Sequence, residues 1–542
     1  MQDNSKLSVL VIDPSPGMRG SLQNMLNVLN ISKIEYAVSS GTAIRAVMKK
    51  QFDVILCEYD LGSGQEDGQD GQQLLEDLRH HRLIGMLTIF IMITSEGVYS
   101  KVVSAAELTP TDYILKPFTV DMLSGRITRA LERRAAFVPT YLQIGQGDLR
   151  AAIRSCADAS AKGTRYGVDF MRLRAELHMN LGEVQLAEEL YRTILESKPI
   201  GWAQLGLARA LAGQDRHDEA IEMLTALIAS NPRFMAAYDL LSQCYETAGR
   251  NGDAKRVLEE AVAISPHMVR RQRHLGHVAL DAGDVAAAEK SYKQVVARSR
   301  GSEFRDPEDH VNLARTLLRK GDQPAALAVV RDLEKSMRGT PKADACLAVS
   351  SAMIHDAAGE QEAAVAALNK AVEAVRDAAG LSAQLKLSLA RSCLAHNLDN
   401  QATQVMLDAL ADSGSGVTVS QATGVFVKAG RPDLADAMGS KMKRQVAQLL
   451  NVANEKTAMG DLKGAVHTLT DALRMAPGNL TVMLALTRGI LRQVAELGWD
   501  HPMGELCGRQ LANIRQLDPA HPQLADLADE FAAAKRRYGI AN

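Results

Sequence analysis

The sequence predicts a five-stranded parallel α/β domain followed by a long all-helical array of tandem hairpins. Three observations carry this. In the first 137 residues, short apolar runs alternate with amphipathic helical stretches, the pattern of a doubly wound parallel sheet. Beyond Pro139 only helical patterns remain, punctuated by Gly-Asp type turns. Those turns recur at a nearly fixed spacing, and a fixed period in a helical chain marks a repeat architecture.

Candidate strands are residues 7–12, 33–38, 53–58, 87–93 and 112–115, with helical patterns near 17–29, 41–51, 71–81, 98–107 and 119–134. In such sheets ligands gather beyond the carboxyl ends of the strands. Asp13, Glu58, Thr94 and Lys116 fall at those ends.

In the second region a turn residue followed by Ala recurs as "GDLRAA" at 147, "GEVQLA" at 182, "GQDRHDEA" at 213, "GRNGDA" at 249, "GDVAAA" at 283, "GDQPAA" at 321, "GEQEAA" at 359, "NLDNQA" at 397, "GRPDLA" at 430 and "GDLKGA" at 460. Successive starts lie 30 to 38 residues apart. In the clearest unit, residues 235–266, Tyr238, Leu241 and Tyr245 mark one helix face. Gly249 makes the turn, Ala254 allows close approach of the second helix, Leu258 and Ala261 continue its apolar face, and Pro266 stops it. Residues 449–477 repeat the plan. The unit near 415–445 is the weakest, with "DSGSGVTVSQ" reading as an irregular connection. Residues 503–538 read as a final helix pair hiding the last apolar face. The expected organisation is thus 1–137 for the α/β domain, 138–500 for the array and 501–542 for capping helices.

Composition narrows the function. The formal net charge is −2 and charged residues are 23%, so no overall basic field points to nucleic acid. The start of the chain lacks the apolar length of a secretion signal or membrane span, so the expected location is cytoplasmic. Six dispersed cysteines form no C-x-x-C pair and read as buried thiols in a reducing compartment. No P-loop, G-x-S-x-G or H-E-x-x-H motif is present, and an enzyme is not expected.

The helical unit resembles the tetratricopeptide repeat, which implies about ten helical hairpins stacked in a right-handed superhelix. Its concave face, lined by the first helix of each hairpin, usually binds extended or helical peptides. Inner positions include Arg270, Arg273, His277, Arg315 and Arg319. The default reading is an ordinary solvated face, and the sharper one is a basic patch for an acidic partner segment. No match is seen to the Lys-Asn clamp that reads chaperone carboxylates.

The α/β region resembles the receiver domain of two-component response regulators, a flavodoxin-like fold. "VLVIDPSPGMR" resembles its first strand and acid-pair loop, "VILCEYDLG" its phosphoacceptor strand, "IMITS" its fourth strand with the hydroxyl residue and "DYILKPF" its fifth with Lys-Pro. The resemblance implies phosphoryl transfer from a kinase His, or a small phosphodonor, to an Asp. Mg2+ would be held by the acid pair, the acceptor and a backbone carbonyl two residues beyond.

Matched position by position, Asp13 fills the first acidic place and Pro14 the second, where Pro cannot supply the metal ligand. Glu58 stands at the acceptor place, Asp60 at the carbonyl ligand, Thr94 and Lys116 at the hydroxyl and the Lys, and Tyr113 at the switch aromatic. Asp13 and Asp60 are thus the remaining metal candidates. Glu reaches roughly 1.5 Å further than Asp, where it would pair with Lys116 and accept from Thr94. Three readings stay open: a signalling domain in one fixed, partly activated-like state, an inert docking or dimer platform, and residual phosphorylation at Glu58 or Asp60. In the insertion "GSGQEDGQDGQQ", Glu66, Asp67 and Asp70 are candidates to restore a metal ligand, although a solvated loop is the plainer reading. His80 and His81 read as surface residues at a helix end.

The expected protein is therefore an atypical two-component adaptor. Its partners would be proteins: a histidine kinase or another response regulator at the α/β domain, and a peptide or helical segment on the concave face. No nucleic acid or membrane is expected. The resemblance implies a candidate homodimer through residues 98–107 and 119–134. The alternative class is an assembly scaffold with an inert receiver module.

Overall fold

The computed structural model describes residues 4–62, 70–95, 111–163, 165–300, 304–337, 339–412, 414 and 416–540. The predicted helix at 98–107, and Glu66 and Asp67, lie outside them. Two compact units are present, residues 1–306 and residues 307–542.

Five parallel strands, β1 (Ser8–Ile12), β2 (Lys33–Ala37), β3 (Val54–Glu58), β4 (Ile89–Ser95) and β5 (Asp112–Lys116), form a sheet in the order β2-β1-β3-β4-β5. Every residue of β3 is buried, as a central strand covered on both faces requires. Val9, Val11, Leu56 and Ile91 pack toward α1 (Pro16–Val28) and the helix Val120–Gly145. Leu10, Ile12, Ile55, Cys57, Phe90 and Met92 pack toward α2 (Ser40–Lys49) and α3 (Gly71–His80). Parallel register sets Glu58 beside Ile93 and Ser95 beside Lys116, which gathers the carboxyl ends of β3, β4 and β5.

One helix outruns its sequence pattern. Expected near 119–134, it continues to Gly145 through Pro139, so a single helix crosses the 137/138 division. Phe137, buried and stacked on Phe170 with ring centroids 4.0 Å apart, holds the continuing turns against the next hairpin. The helix ends where Gly147 takes a φ of 79°.

The helical hairpins follow the expected plan. Tyr238, Leu241, Tyr245, Ala254, Leu258 and Ala261 are all buried, and Gly249 adopts a left-handed φ of 71°. At the 213 turn the left-handed residue is Asp215, φ 60°, instead of Gly213. The other correction lies in the weak unit. After the short helix Val419–Lys428, the second helix of that hairpin and the first of the next are one helix, Pro432–Ala458. Gly430 and Gly460 carry the breaks, and the single interior Gly439 is not enough to end a helix. The last helices, His501–Leu517 and Leu524–Arg537, bury Cys507, Leu511, Ile514 and Leu527 in a cluster with the helix Leu480–Leu497. All six cysteines are buried thiols.

Candidate functional site

The end of β3 delivers Glu58 into a pocket where it is 9% exposed. Its Oε2 takes an ion pair from Lys116 Nζ, and its Oε1 accepts the Asp60 backbone N–H at 3.2 Å. Asp13, 2% exposed at the end of β1, places Oδ2 3.5 Å from Lys116 Nζ, while its Oδ1 accepts the Ser15 N–H at 2.8 Å. One ammonium thus faces two buried carboxylates, because a buried carboxylate without a counter-charge is strongly disfavoured.

A second cation stands at the same loop. Arg19, one turn into α1, donates from Nη1 to the carbonyl oxygens of Asp13 at 2.6 Å and Pro14 at 2.9 Å. The sequence reading did not single out Arg19; its position six residues after Asp13, on the first turn of the following helix, was the available signal.

Thr94 departs from expectation. It lies within β4, and its hydroxyl donates to the Ser95 carbonyl at 3.5 Å, not to Glu58. Both Glu58 oxygens already have partners. Tyr113 is half-buried, with its hydroxyl oxygen shielded from solvent and its ring against the Ile55–Phe90 cluster.

Asp60 Oδ1 accepts the Gly62 N–H at 3.0 Å. Asp70, the one described acid of the insertion, accepts the Gln73 N–H at 2.8 Å and so caps α3. Burial pushes its carboxyl above the usual carboxylate range, against the opposing hydrogen bonds.

Whether these residues suit a divalent cation can be asked of the donors themselves. Asp13 Oδ2 accepts no hydrogen bond but lies 3.5 Å from the Lys116 ammonium, so the one oxygen it could offer already faces a cation. Pro14 brings only a carbonyl that Arg19 already holds, and Glu58 is engaged by Lys116. Among the described residues no three His, Cys, Asp or Glu side chains converge on a point. The donor set does not fit Mg2+.

The comparisons with known proteins bear on the domains that carry these residues. A family model described as the response regulator receiver domain matches residues 9–128. Residues 9–128 are a receiver domain. Chemotaxis protein CheY-3 of Vibrio cholerae is 27% identical over 130 residues, which is 24% of this chain and 95% of that protein. Chemotaxis protein CheY of Pseudomonas aeruginosa is 25% identical over 127 residues, 23% of this chain and 98% of that one. Behind the receiver domain, a tetratricopeptide repeat model matches residues 141–199, 205–269 and 274–343. Among solved structures, a tetratricopeptide repeat protein from Parabacteroides merdae aligns with 18% identity and a TM-score of 0.31, over 44% of this chain and 91% of that one. The pilus biogenesis factor PilW aligns with 20% identity and a TM-score of 0.32, over 39% and 95%. The chain joins a receiver domain to tetratricopeptide repeats.

The basic residues expected on the concave face have separate surroundings. Arg270 Nη2 donates to Asp239 at 3.2 Å, Arg273 is half-buried, and His277 Nδ1 lies 3.5 Å from Asp281. Arg315 and Arg319 belong to the other compact unit, where Arg315 donates to Asn312 at 3.4 Å and Arg319 is exposed. The sequence reading passed over their neighbour Arg271, which is 2% exposed and makes the deepest ion pairs of the group.

Proposed function

We propose that this protein is a signalling adaptor whose receiver domain is held in one fixed state by the Lys116–Glu58 ion pair, without phosphorylation and without a divalent cation. Its output is contact between the repeats and another protein, and its expected setting is the cytoplasm. The observation that carries the reading is the pairing of Lys116 with both Glu58 and Asp13. The ammonium that binds phosphoryl oxygens in the resembled family is already occupied here, and the carboxylates that would hold a metal are the groups occupying it.

A carboxylate has one negative charge where a phosphorylated residue has about −1.5 to −2. Glu58 also makes no contact with the Thr94 hydroxyl, which donates elsewhere. The state is therefore set by Lys116 and the Asp60 N–H without Thr94, and imitation of a phosphorylated site is partial. Receiver domains and tetratricopeptide repeats generally mediate contacts between proteins, and these are the two modules matched in residues 9–343. No described helix is long and apolar enough to cross a membrane. We read the chain as a non-enzyme because both matched modules are generally non-enzymatic.

The test is phosphoryl uptake. With acetyl phosphate and Mg2+, the natural chain should gain no phosphoryl mass, and Pro14→Asp combined with Glu58→Asp should gain one at residue 58. A phosphoryl group mapped to Glu58 or Asp60 of the natural chain would sink the fixed-state reading. If the restored variant takes up phosphate and partner contact does not change, the inert scaffold reading replaces it.

A further inference from the structure

The outward face of α3 meets the repeats through Glu76. Its Leu74, Leu75 and Leu78 are buried within the receiver domain, which turns Glu76 away from that core. Glu76 Oε2 meets Arg271 Nη2 at 3.1 Å. That guanidinium is already gripped by Asp239, with Nε to Oδ1 at 2.9 Å and Nη2 to Oδ2 at 3.0 Å, and its Nη1 donates to Ser265 at 3.2 Å.

Asp239 and Arg271 sit on the first helices of successive hairpins, Met235–Thr247 and Val269–Asp281, Asp239 inside the matched segment 205–269 and Arg271 between it and the next, 274–343. Those helices line the inner face in this architecture. Asp239 therefore preorganises Arg271 as a receptor, and the remaining direction of its fork is filled by an acid from an incoming helix. Burial raises the Glu76 carboxyl above the usual range, Arg271 opposing, so the acid is taken well out of water.

Contacts on either side follow the same helix. His81, just past the end of α3, stacks on Phe304 with ring centroids 3.7 Å apart and planes 6° from parallel. Phe304 also joins the partly buried residues against the receiver core. Burial lowers Arg79 to about 10, helped by Arg172 and opposed by Tyr141 and Glu176, so this end of α3 lies in the field of the first hairpins.

We infer that the inner face of the hairpins around Asp239 and Arg271 is a receptor for a helix that presents a carboxylate, occupied in cis by α3, so that the receiver domain and such a helix from another protein compete for it. The consequence for output rests on the repeats being the output surface; the cis contact does not. The same helix also borders the receiver site. Gly71, the first residue of α3, donates its N–H to the Tyr59 carbonyl at 2.7 Å, and a Cβ at Gly71 would lie 2.6 Å from the Glu58 carbonyl oxygen. The start of α3 is thus packed directly against the end of β3, the strand that carries Glu58.

The experiment uses the full chain. Amide hydrogen exchange is measured for the natural protein, Glu76→Arg and Arg271→Met, one change on each side of the contact. Both variants should speed exchange at least tenfold across residues 71–80 and 235–247 while strands β1 and β3 keep their protection. A fluorescent peptide of residues 70–84 should bind Glu76→Arg at least tenfold more tightly than the natural chain, and the same peptide carrying Glu76→Arg should not. Unchanged exchange in either variant, or peptide binding equal in both chains or absent from both, would overturn the inference. Neither readout needs phosphorylation, so a phosphoryl adduct at Glu58 would end the fixed-state reading and leave these results as expected.

Discussion

Lys116 is the residue on which the receiver pocket depends. It is about a quarter exposed, yet it is the cation paired with Glu58 and Asp13, whose side chains are 11% and 2% exposed. Lys116→Met keeps the stem and removes the charge, leaving two buried carboxylates uncompensated. The expected loss is about 3 kcal/mol, the lower end for breaking a buried pair, read as earlier urea unfolding of the receiver strands. Glu58→Gln should cost clearly less, because Asp13 still partners the ammonium. Most of this site was legible at the residue scale: strand ends are marked by where apolar runs stop, and Asp13, Glu58 and Lys116 all fall there. Thr94 was legible in place but not in contact, since a side chain's chosen acceptor depends on which neighbours are already satisfied.

Among the elements, close helix approach depends on small residues at particular crossings. An added Cβ at Gly206 would lie 2.4 Å from the Tyr191 ring, and one at Gly276 would lie 2.9 Å from the Tyr292 ring. Gly206→Ala and Gly276→Ala should each destabilise by about 1–3 kcal/mol through overpacking. Exposed Gly252, with nothing within 4 Å of its added Cβ, should instead gain about 0.5–1 kcal/mol as Ala. Urea midpoints of the three variants distinguish the cases. The repeat period pointed to the turns and to the small Ala of each hairpin. It did not point to the Gly–Tyr crossings, because the partner ring lies on a neighbouring helix whose rotation the period does not specify.

Charge also joins elements. Glu188 on the helix Val184–Ser197 accepts from Gln214 at 2.6 Å and Arg216 at 3.0 Å in the next turn. Burial raises its carboxyl, but bonds from Gln214, Arg192 and Arg216 outweigh this and bring it down to about 2. A depressed carboxylate stabilises the fold above its ordinary range and loses that contribution as pH falls through its folded value. Stability should therefore drop as pH falls from about 4.5 toward 2, and Glu188→Gln should remove part of that slope. A slope identical in both proteins would show that the network contributes nothing.

For the whole molecule, each compact unit must cover its own apolar faces. In residues 307–542 the helices His501–Leu517 and Leu524–Arg537 cover Leu486, Ile490 and Val494. Trp499 stacks on Phe531, and the Tyr538 hydroxyl donates to the Val494 carbonyl at 3.0 Å. Removing residues 499–542 should expose that face, increase binding of an apolar dye and promote association in size-exclusion chromatography. A monomeric, dye-silent product would show that the covering is dispensable.

Local periodicity determined the sheet, the hairpins, their turns and the acids at the strand ends, because each is set by residues within one or two turns of chain. The sequence reading expects Arg270 and Arg273 on an inner face. Only the tertiary structure decided that their neighbour Arg271 is paired with Glu76 of α3. Glu76 and Arg271 are 195 residues apart, and nothing in either segment specifies the other. Their meeting follows from the sheet's order, the helix that carries the chain past Pro139 and the stacking of successive hairpins. Together these fix where α3 lies against the inner helices.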